Sequence, residues 1–202
     1  MDSDAVRRAY DALGETYGQF RRVDGPETAL FADLLDGLAV PGPILDVGCG
    51  DGRRTAYHLV DRRRVVGLDV SAVQLRLAAE AVPGMDLVQG DMTALPLTDD
   101  SVAGVVAYYS VFHVDRRRHG EVYREFARVC RPGGRLLTNV PRRAMDGMRS
   151  DWLRDGVDMY WSAPGRESTL DVLDDAGFDI VWERTVTDGL GEQVTFVLCE
   201  HR

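Results

Sequence analysis

The sequence predicts an α/β fold, a mostly parallel sheet with helices on both faces that finishes in an antiparallel hairpin. Three observations carry this. Short apolar runs alternate with amphipathic segments through the middle of the chain. A glycine-rich turn follows the first of those runs, and the last two strand-like segments lie too close together for a crossover helix. At 202 residues, 45% hydrophobic and 28% charged, the chain fits one large α/β domain of ordinary globular composition.

From Val6 to Phe20 the apolar residues Val6, Tyr10, Leu13, Tyr17 and Phe20 recur at helical spacing, predicting one amphipathic helix. A second helix is expected from Pro26 to about Leu38, opened by Pro26 and buried through Leu30, Leu34, Leu35 and Leu38. Pro41-Gly42-Pro43 punctuates the chain before the strand Ile44-Leu45-Asp46-Val47. Val65 to Val70 reads as a buried strand. Ser71-Ala72-Val73-Gln74 is a capping box for a helix to about Ala81, stopped by Pro83-Gly84. Strands follow at 85–89 and 102–109. A helix from Glu121 to Cys130 ends at Arg131-Pro132-Gly133-Gly134, and a strand runs from Arg135 to Val140. Residues 141–165 lack clear periodicity and are rich in Met, Trp and Tyr. A helix over 167–176 precedes strands near 178–185 and 193–200, joined through Asp188-Gly189-Leu190-Gly191.

The strongest chemical signal is Ile44-Leu45-Asp46-Val47-Gly48-Cys49-Gly50-Asp51-Gly52, an apolar strand ending in a carboxylate and running into alternating glycines. Such a turn lets a bulky ligand touch the backbone, where side chains would block it. Asp46 to Gly52 resembles the first motif of class I S-adenosyl-methionine-dependent methyltransferases, and the likeness extends to a small-molecule, type-11-like domain covering roughly residues 5–200. It implies a Rossmann-like, seven-stranded, mostly parallel sheet with an antiparallel C-terminal hairpin. It also implies S-adenosyl-methionine as cofactor and S-adenosyl-homocysteine as product.

On that resemblance, Asp46 and the Gly48, Cys49, Gly50, Asp51 and Gly52 backbone hold the methionine end of the cofactor. Asp69, with Val70 beside it, takes the ribose hydroxyls, and Asp91 within Gly90-Asp91-Met92 lies near the adenine amino group. A carboxylate suits the ribose because it accepts two hydrogen bonds from a cis-diol. Arg131 to Leu136 is similar to the family's proline-glycine turn before its fifth strand. Tyr17 and Tyr109 join the cofactor set. Tyr10 and Tyr17 fall on the buried stripe of their helix, so a core position fits them as well as ligand contact does. Tyr108, Met148, Tyr160 and Trp161, with Tyr10, are the expected substrate-pocket residues. His113 follows the fourth strand where relatives approach their substrate, and is the candidate general base. A structural histidine bonded to backbone is the alternative.

The resemblance divides the chain into a helical lid (1–40), a cofactor core (41–140), a substrate cap (141–165) and a closing helix and hairpin (166–202). The implied function is methyl transfer to oxygen or nitrogen of a small molecule, in secondary metabolism, by a cytoplasmic monomer or homodimer. The alternatives are a non-catalytic or repurposed binder of the cofactor and, further off, a nicotinamide-dependent oxidoreductase. The latter prefers G-x-G-x-x-G, whereas the glycines here stand at 48, 50 and 52.

Composition narrows the classes further. A net charge of −9 argues against a nucleic-acid partner, since phosphate contacts need positive potential. No apolar run approaches the roughly 20 residues that span a bilayer, so no membrane partner is expected. The acidic start shows no signal peptide, and three scattered cysteines form neither a disulfide framework nor a metal site. All basic residues are arginine. With no lysine, Schiff-base chemistry and a catalytic-lysine dehydrogenase are both excluded.

Overall fold

The computed structural model describes residues 3–19, 23–153, 156–188 and 191–202. Helices α1 (Ser3–Leu13) and α2 (Glu15–Gln19) lead, through a 3-10 turn at Pro26–Ala29, to α3 (Leu30–Asp36). Then follow β1 (Ile44–Val47), α4 (Ala56–Leu59), β2 (Val65–Asp69), α5 (Ala72–Ala81), β3 (Asp86–Gln89) and β4 (Val102–Ala107). Helix α6 (His119–Val129) precedes β5 (Cys130–Val140), β6 (Met145–Trp152) and β7 (Val157–Ala163), and the chain closes with α7 (Arg166–Asp175), β8 (Phe178–Thr187) and β9 (Gln193–His201).

The seven-stranded sheet has the order β3-β2-β1-β4-β5-β9-β8. Strands β1 to β5 pair in parallel, and β9 runs antiparallel to both β5 and β8, which is the closing hairpin. The order reverses between β1 and β4, so a crevice opens at the carboxyl ends of these two strands, where open α/β sheets bind ligands. Alternation along the strands feeds two cores. Leu45 and Val47 pack with Val122, Phe126 and Leu173 of α6 and α7, while Ile44 packs with Leu34, Leu59 and Ala78 of α3, α4 and α5. A third cluster lies apart from the sheet, where Val6, Ala9 and Leu13 of α1 pack on Trp152 and Met159 of β6 and β7.

The structure corrects several expected elements. The single N-terminal helix breaks at Gly14, and Phe20 lies outside the described residues. The second helix starts as a 3-10 turn. The proline-glycine stop after α6 is a bulge inside β5: Val102 pairs with Cys130, and the register then jumps so that Gly104 pairs with Arg135. Residues 141–165 are an antiparallel hairpin rather than irregular chain, with Met148 opposite Tyr160. Strand β6 is exposed along almost its whole length, so it has no buried face to impose an apolar alternation on its sequence. No helix of the described residues is long and apolar enough to cross a membrane.

Candidate active site

Strand β1 delivers its last residue into a turn whose backbone is pinned from two sides. The Gly48 and Cys49 amides donate to the Leu68 carbonyl at 2.7 and 3.1 Å, and the Gly50 amide donates to Asp69 Oδ2 at 2.9 Å. Gly48 and Gly50 have φ of +68° and +54°, which side chains resist. A Cβ on Gly48 would lie 2.5 Å from Ser110 Cβ. One on Gly50 would meet only Tyr17 Cε1 at 3.8 Å and Gln74 Oε1 at 3.9 Å, at the edge of open space.

That space is a cleft of about 770 Å³, continuous with solvent, lined by Gly48, Gly50, Asp69, Val70, Gly90, Asp91, Met92, Tyr109, Tyr10, Tyr17 and His113. Nine of the thirteen expected cofactor residues are among these, and Tyr10 and His113 stand beside them.

Asp69 is buried at the end of β2 and accepts the Gly50 amide on one oxygen and the Ser71 amide on the other, each at 2.9 Å. Each carboxylate oxygen has a second lone pair, so both remain able to accept from a diol. Burial pushes the Asp69 carboxyl up, against the pull of those backbone amides. Asp91 is half-buried. Burial opposes its ionisation, but the Thr93 amide and hydroxyl on Oδ1, at 2.9 and 2.8 Å, help hold it below the usual carboxylate range. Ser110 also lines the cleft, and its hydroxyl is buried with no hydrogen-bond partner. Unpaired buried hydroxyls are costly, so this one favours a bound polar ligand. The glycine cradle, the diol-ready carboxylate and this hydroxyl fit a nucleoside with an amino-acid tail.

Four expected cofactor residues do not line the cleft. Asp46 is buried beneath the turn, where the Thr55 hydroxyl donates to Oδ2 and Oδ1 has no partner. Burial pushes its carboxyl up to about 7, aided by the nearby Asp69 charge and opposed by Thr55. Cys49 points into the sheet, and burial raises its thiol well above the ordinary value. Asp51 turns to its own loop and accepts the Arg53 amide at 3.2 Å. A Cβ on Gly52 would press on Met85 and Val82 at 3.1 Å, so that glycine serves packing. These four shape the turn from behind.

His113 sits in a 3-10 turn after β4 and is buried. Nδ1 is 2.9 Å from the Tyr160 carbonyl, and Nε2 is 2.9 Å from the Tyr10 hydroxyl. A carbonyl only accepts, so Nδ1 carries the proton. In the neutral ring Nε2 then accepts from Tyr10. Rings of Tyr10, Tyr17, Trp152 and Trp161 surround this pair, with centroids 4.9–6.4 Å from one another or from His113.

Four of the five expected substrate-pocket residues do not line the cleft. Tyr108 stacks on Phe196 at 5.2 Å beneath Arg54, buried in the core behind Tyr109 rather than lining the cleft. Met148 is 50% exposed. The Tyr160 hydroxyl donates to Asp146 at 2.6 Å, so this residue contributes its carbonyl and not its ring. Trp161 stacks on Phe112 at 4.6 Å and lines a second groove beside the cleft. The sequence reading missed Ser110 and, as a site residue, Trp152. Their signal was position, one next to Tyr109 and the other at the end of β6.

Comparison with known proteins agrees with this geometry. A family profile described as a methyltransferase domain matches residues 44–134. The chain is 30% identical over 183 residues to the ubiquinone/menaquinone biosynthesis C-methyltransferase UbiE of Syntrophotalea carbinolica, covering 76% of this chain and 75% of that one. It is 28% identical over 156 residues to a malonyl-[acyl-carrier protein] O-methyltransferase of Yersinia pestis, covering 75% of this chain and 56% of the relative. Among solved structures, the [4+2]-cyclase SpnF shares the fold with a TM-score of 0.72 at 19% identity, over 97% of this chain and 94% of that one. The chain belongs to the class I S-adenosyl-methionine-dependent methyltransferase family, and its cofactor is S-adenosyl-methionine. The nicotinamide alternative falls with this result. The acceptors that relatives' names carry range from quinone precursors and acyl-carrier protein to a tRNA uridine, so the expectation of no nucleic-acid partner gains no support from them.

Proposed function

We propose that this protein methylates oxygen or nitrogen of a small-molecule acceptor in the cytoplasm, with α1 and α2 of the expected 1–40 lid and the 141–165 cap over a cofactor core, α3 packing in the sheet core instead. When bound, S-adenosyl-methionine would supply a sulfonium methyl carbon open to in-line attack by an aligned nucleophile, with the thioether S-adenosyl-homocysteine as the leaving group. Asp69 and the Gly48–Gly50 backbone hold its ribose and methionine portions, and Asp91 stands toward the base. Alignment of this kind contributes about 7–11 kcal/mol to a bimolecular reaction.

The observation that carries the reading is the Tyr10–His113 pair in the wall of the cofactor cleft. Nε2 of His113 takes the Tyr10 hydroxyl proton as Tyr10 takes the proton of the acceptor, while the Tyr160 carbonyl fixes the ring and steadies the developing imidazolium. The lid therefore completes the base: Tyr10 belongs to α1, which docks by the Ser71 hydroxyl on Asp11 at 2.6 Å and the Gln74 amide on the Gly14 carbonyl at 3.1 Å. A small acceptor suits a cleft closed over by lid and cap, and the net charge of −9 disfavours a polyanion.

The test is S-adenosyl-homocysteine release across a panel of phenols, carboxylic acids and amines. His113→Gln is expected to lower kcat by about 10²–10⁴ with S-adenosyl-homocysteine affinity unchanged. Equal turnover in the variant would remove His113 from the chemistry. A second reading, a repurposed binder of the cofactor, draws on the cyclase that shares this fold. Tight S-adenosyl-homocysteine binding with no methyl transfer to any acceptor would favour it.

A further inference from the structure

A second groove adjoins the cofactor cleft. It runs between the β6–β7 hairpin and the ends of β5 and β9, and Tyr109 lines both spaces. Tyr109 is held rigidly there, with φ of 59°, its amide on Asn139 Oδ1 at 2.9 Å and its hydroxyl on Asp188 at 2.8 Å. Strained backbone held by several bonds is common at functional sites. The shared Tyr109 makes the groove and the cofactor cleft neighbours on the cap side.

Three exposed arginines stand on its wall, Arg142, Arg143 and Arg149. Elsewhere the arginines of this acidic chain are mostly paired, as Arg7 is with Asp4, Arg128 with Glu125 and Arg166 with Glu183. Among the described residues these three have neither an acidic partner nor a hydrogen bond. The groove also holds Asp151, Asp188 and Glu192, none of which forms an ion pair with these arginines among the described residues. Asp188 accepts from Tyr109 and the Glu192 amide, Asp151 accepts the Gly156 amide, and Glu192 stands on the β9 side without an ion pair to them. Behind the arginines the wall is apolar, with Phe112 stacked on Trp161, whose indole N–H is buried without an acceptor. An unpaired guanidinium fork beside an apolar wall is a receptor for an oxyanion on a hydrophobic body.

Building on the methyltransferase reading above, we propose that the acceptor carries a carboxylate or phosphate group, and that Arg142, Arg143 and Arg149 bind that group while its apolar body lies against Phe112 and Trp161. The anion anchors the molecule at the groove mouth and leaves its nucleophilic end toward Tyr109 and His113. Methyl transfer then occurs at a site remote from the anchoring charge.

The experiment uses the protein loaded with S-adenosyl-homocysteine and three probes of equal bulk: 1-naphthoate, 1-naphthyl phosphate and uncharged 1-naphthamide. Calorimetry is expected to show at least one anion bound tenfold or more tighter than the amide, with the preference weakening as salt rises. Carboxylate or phosphate ranking first identifies the natural headgroup. In the R142Q/R143Q/R149Q variant the preference should collapse, with amide and S-adenosyl-homocysteine affinities unchanged. The substituted residues are exposed, so folding is not at stake, and R149Q alone should give a partial loss. Equal binding of all three probes, or an anion preference that survives the triple variant, overturns the proposal. So does transfer RNA that competes with the probes through the same arginines, because the surface would then serve a polyanion. Failure of the wild-type protein to bind S-adenosyl-homocysteine, with the anion preference intact, would instead sink the methyltransferase reading and leave the anion site standing.

Discussion

The glycine turn after β1 and the aromatic cluster between α1 and the β6–β7 hairpin face the same cleft, yet they are built from different materials. The turn hangs on a buried parallel sheet and presents side-chain-free glycine backbone and one carboxylate, Asp69. The aromatic cluster has no sheet beneath it. Side chains from three separate stretches, led by Tyr10, His113 and Trp152, meet edge to face. Open glycine backbone on a rigid sheet suits the invariant part of a reaction, the cofactor. A hairpin with one exposed strand, and a helix packed on it outside the sheet, can vary their side chains to suit an acceptor without disturbing that sheet.

If the turn is the rigid partner, its largest hidden cost is the buried Asp46. Its carboxyl rises from 3.8 to about 7 because burial favours the neutral form. The folded state therefore binds this proton more tightly than the unfolded chain. Its contribution to stability is fully present below about pH 4 and is lost as pH rises through 7, a loss on the order of 4 kcal/mol. Urea unfolding at pH 5 and pH 8 should show wild type less stable at the higher pH, with Asp46→Asn distinctly flatter over the same window. Asp69 is shifted in the same direction and leaves a residual slope. Equal slopes in the two proteins would mean that Asp46 is solvated in solution.

The aromatic region should respond to truncation according to which strand is touched. Met159 on β7 is fully buried against α1, so Met159→Ala is expected to cost about 3 kcal/mol and to loosen the lid. Met148 on β6 is half exposed, and Met148→Ala should change stability by less than about 0.5 kcal/mol. Thermal unfolding measures both. Similar losses in the two variants would show the hairpin buried on both faces, and the contrast between a fixed and an adaptable wall would weaken.

The same division explains what the sequence made legible. The parallel strands and the closing hairpin follow from alternating patterns and short connections, whereas the strand order that reverses between β1 and β4 leaves no mark in the sequence. Gly48 and Gly50 were legible because the turn is local in sequence, and Asp69 and Asp91 because each is an acid at a strand end where the family resemblance implies a cofactor contact. Asp46 was assigned to the ligand because a strand-end acid looks the same whether it faces a cleft or, as here, the underside of the turn. Tyr108 and Tyr109 are neighbours whose rings meet edge to face at 4.7 Å, and only Tyr109, at positive φ, reaches the cleft. The hairpin escaped detection because β6 buries almost nothing, and the His113–Tyr10 contact spans 103 residues with no periodic trace.

The central claim is that the cleft between the glycine turn and Asp69 holds the cofactor's ribose. Titration of S-adenosyl-homocysteine into wild type and Asp69→Ala, with circular dichroism confirming that both are folded, tests it most directly. The account predicts measurable binding to wild type and a loss of about 1.5–3 kcal/mol in the variant, the usual worth of charge-assisted hydrogen bonds. Wild-type affinity in a correctly folded Asp69→Ala protein would contradict it.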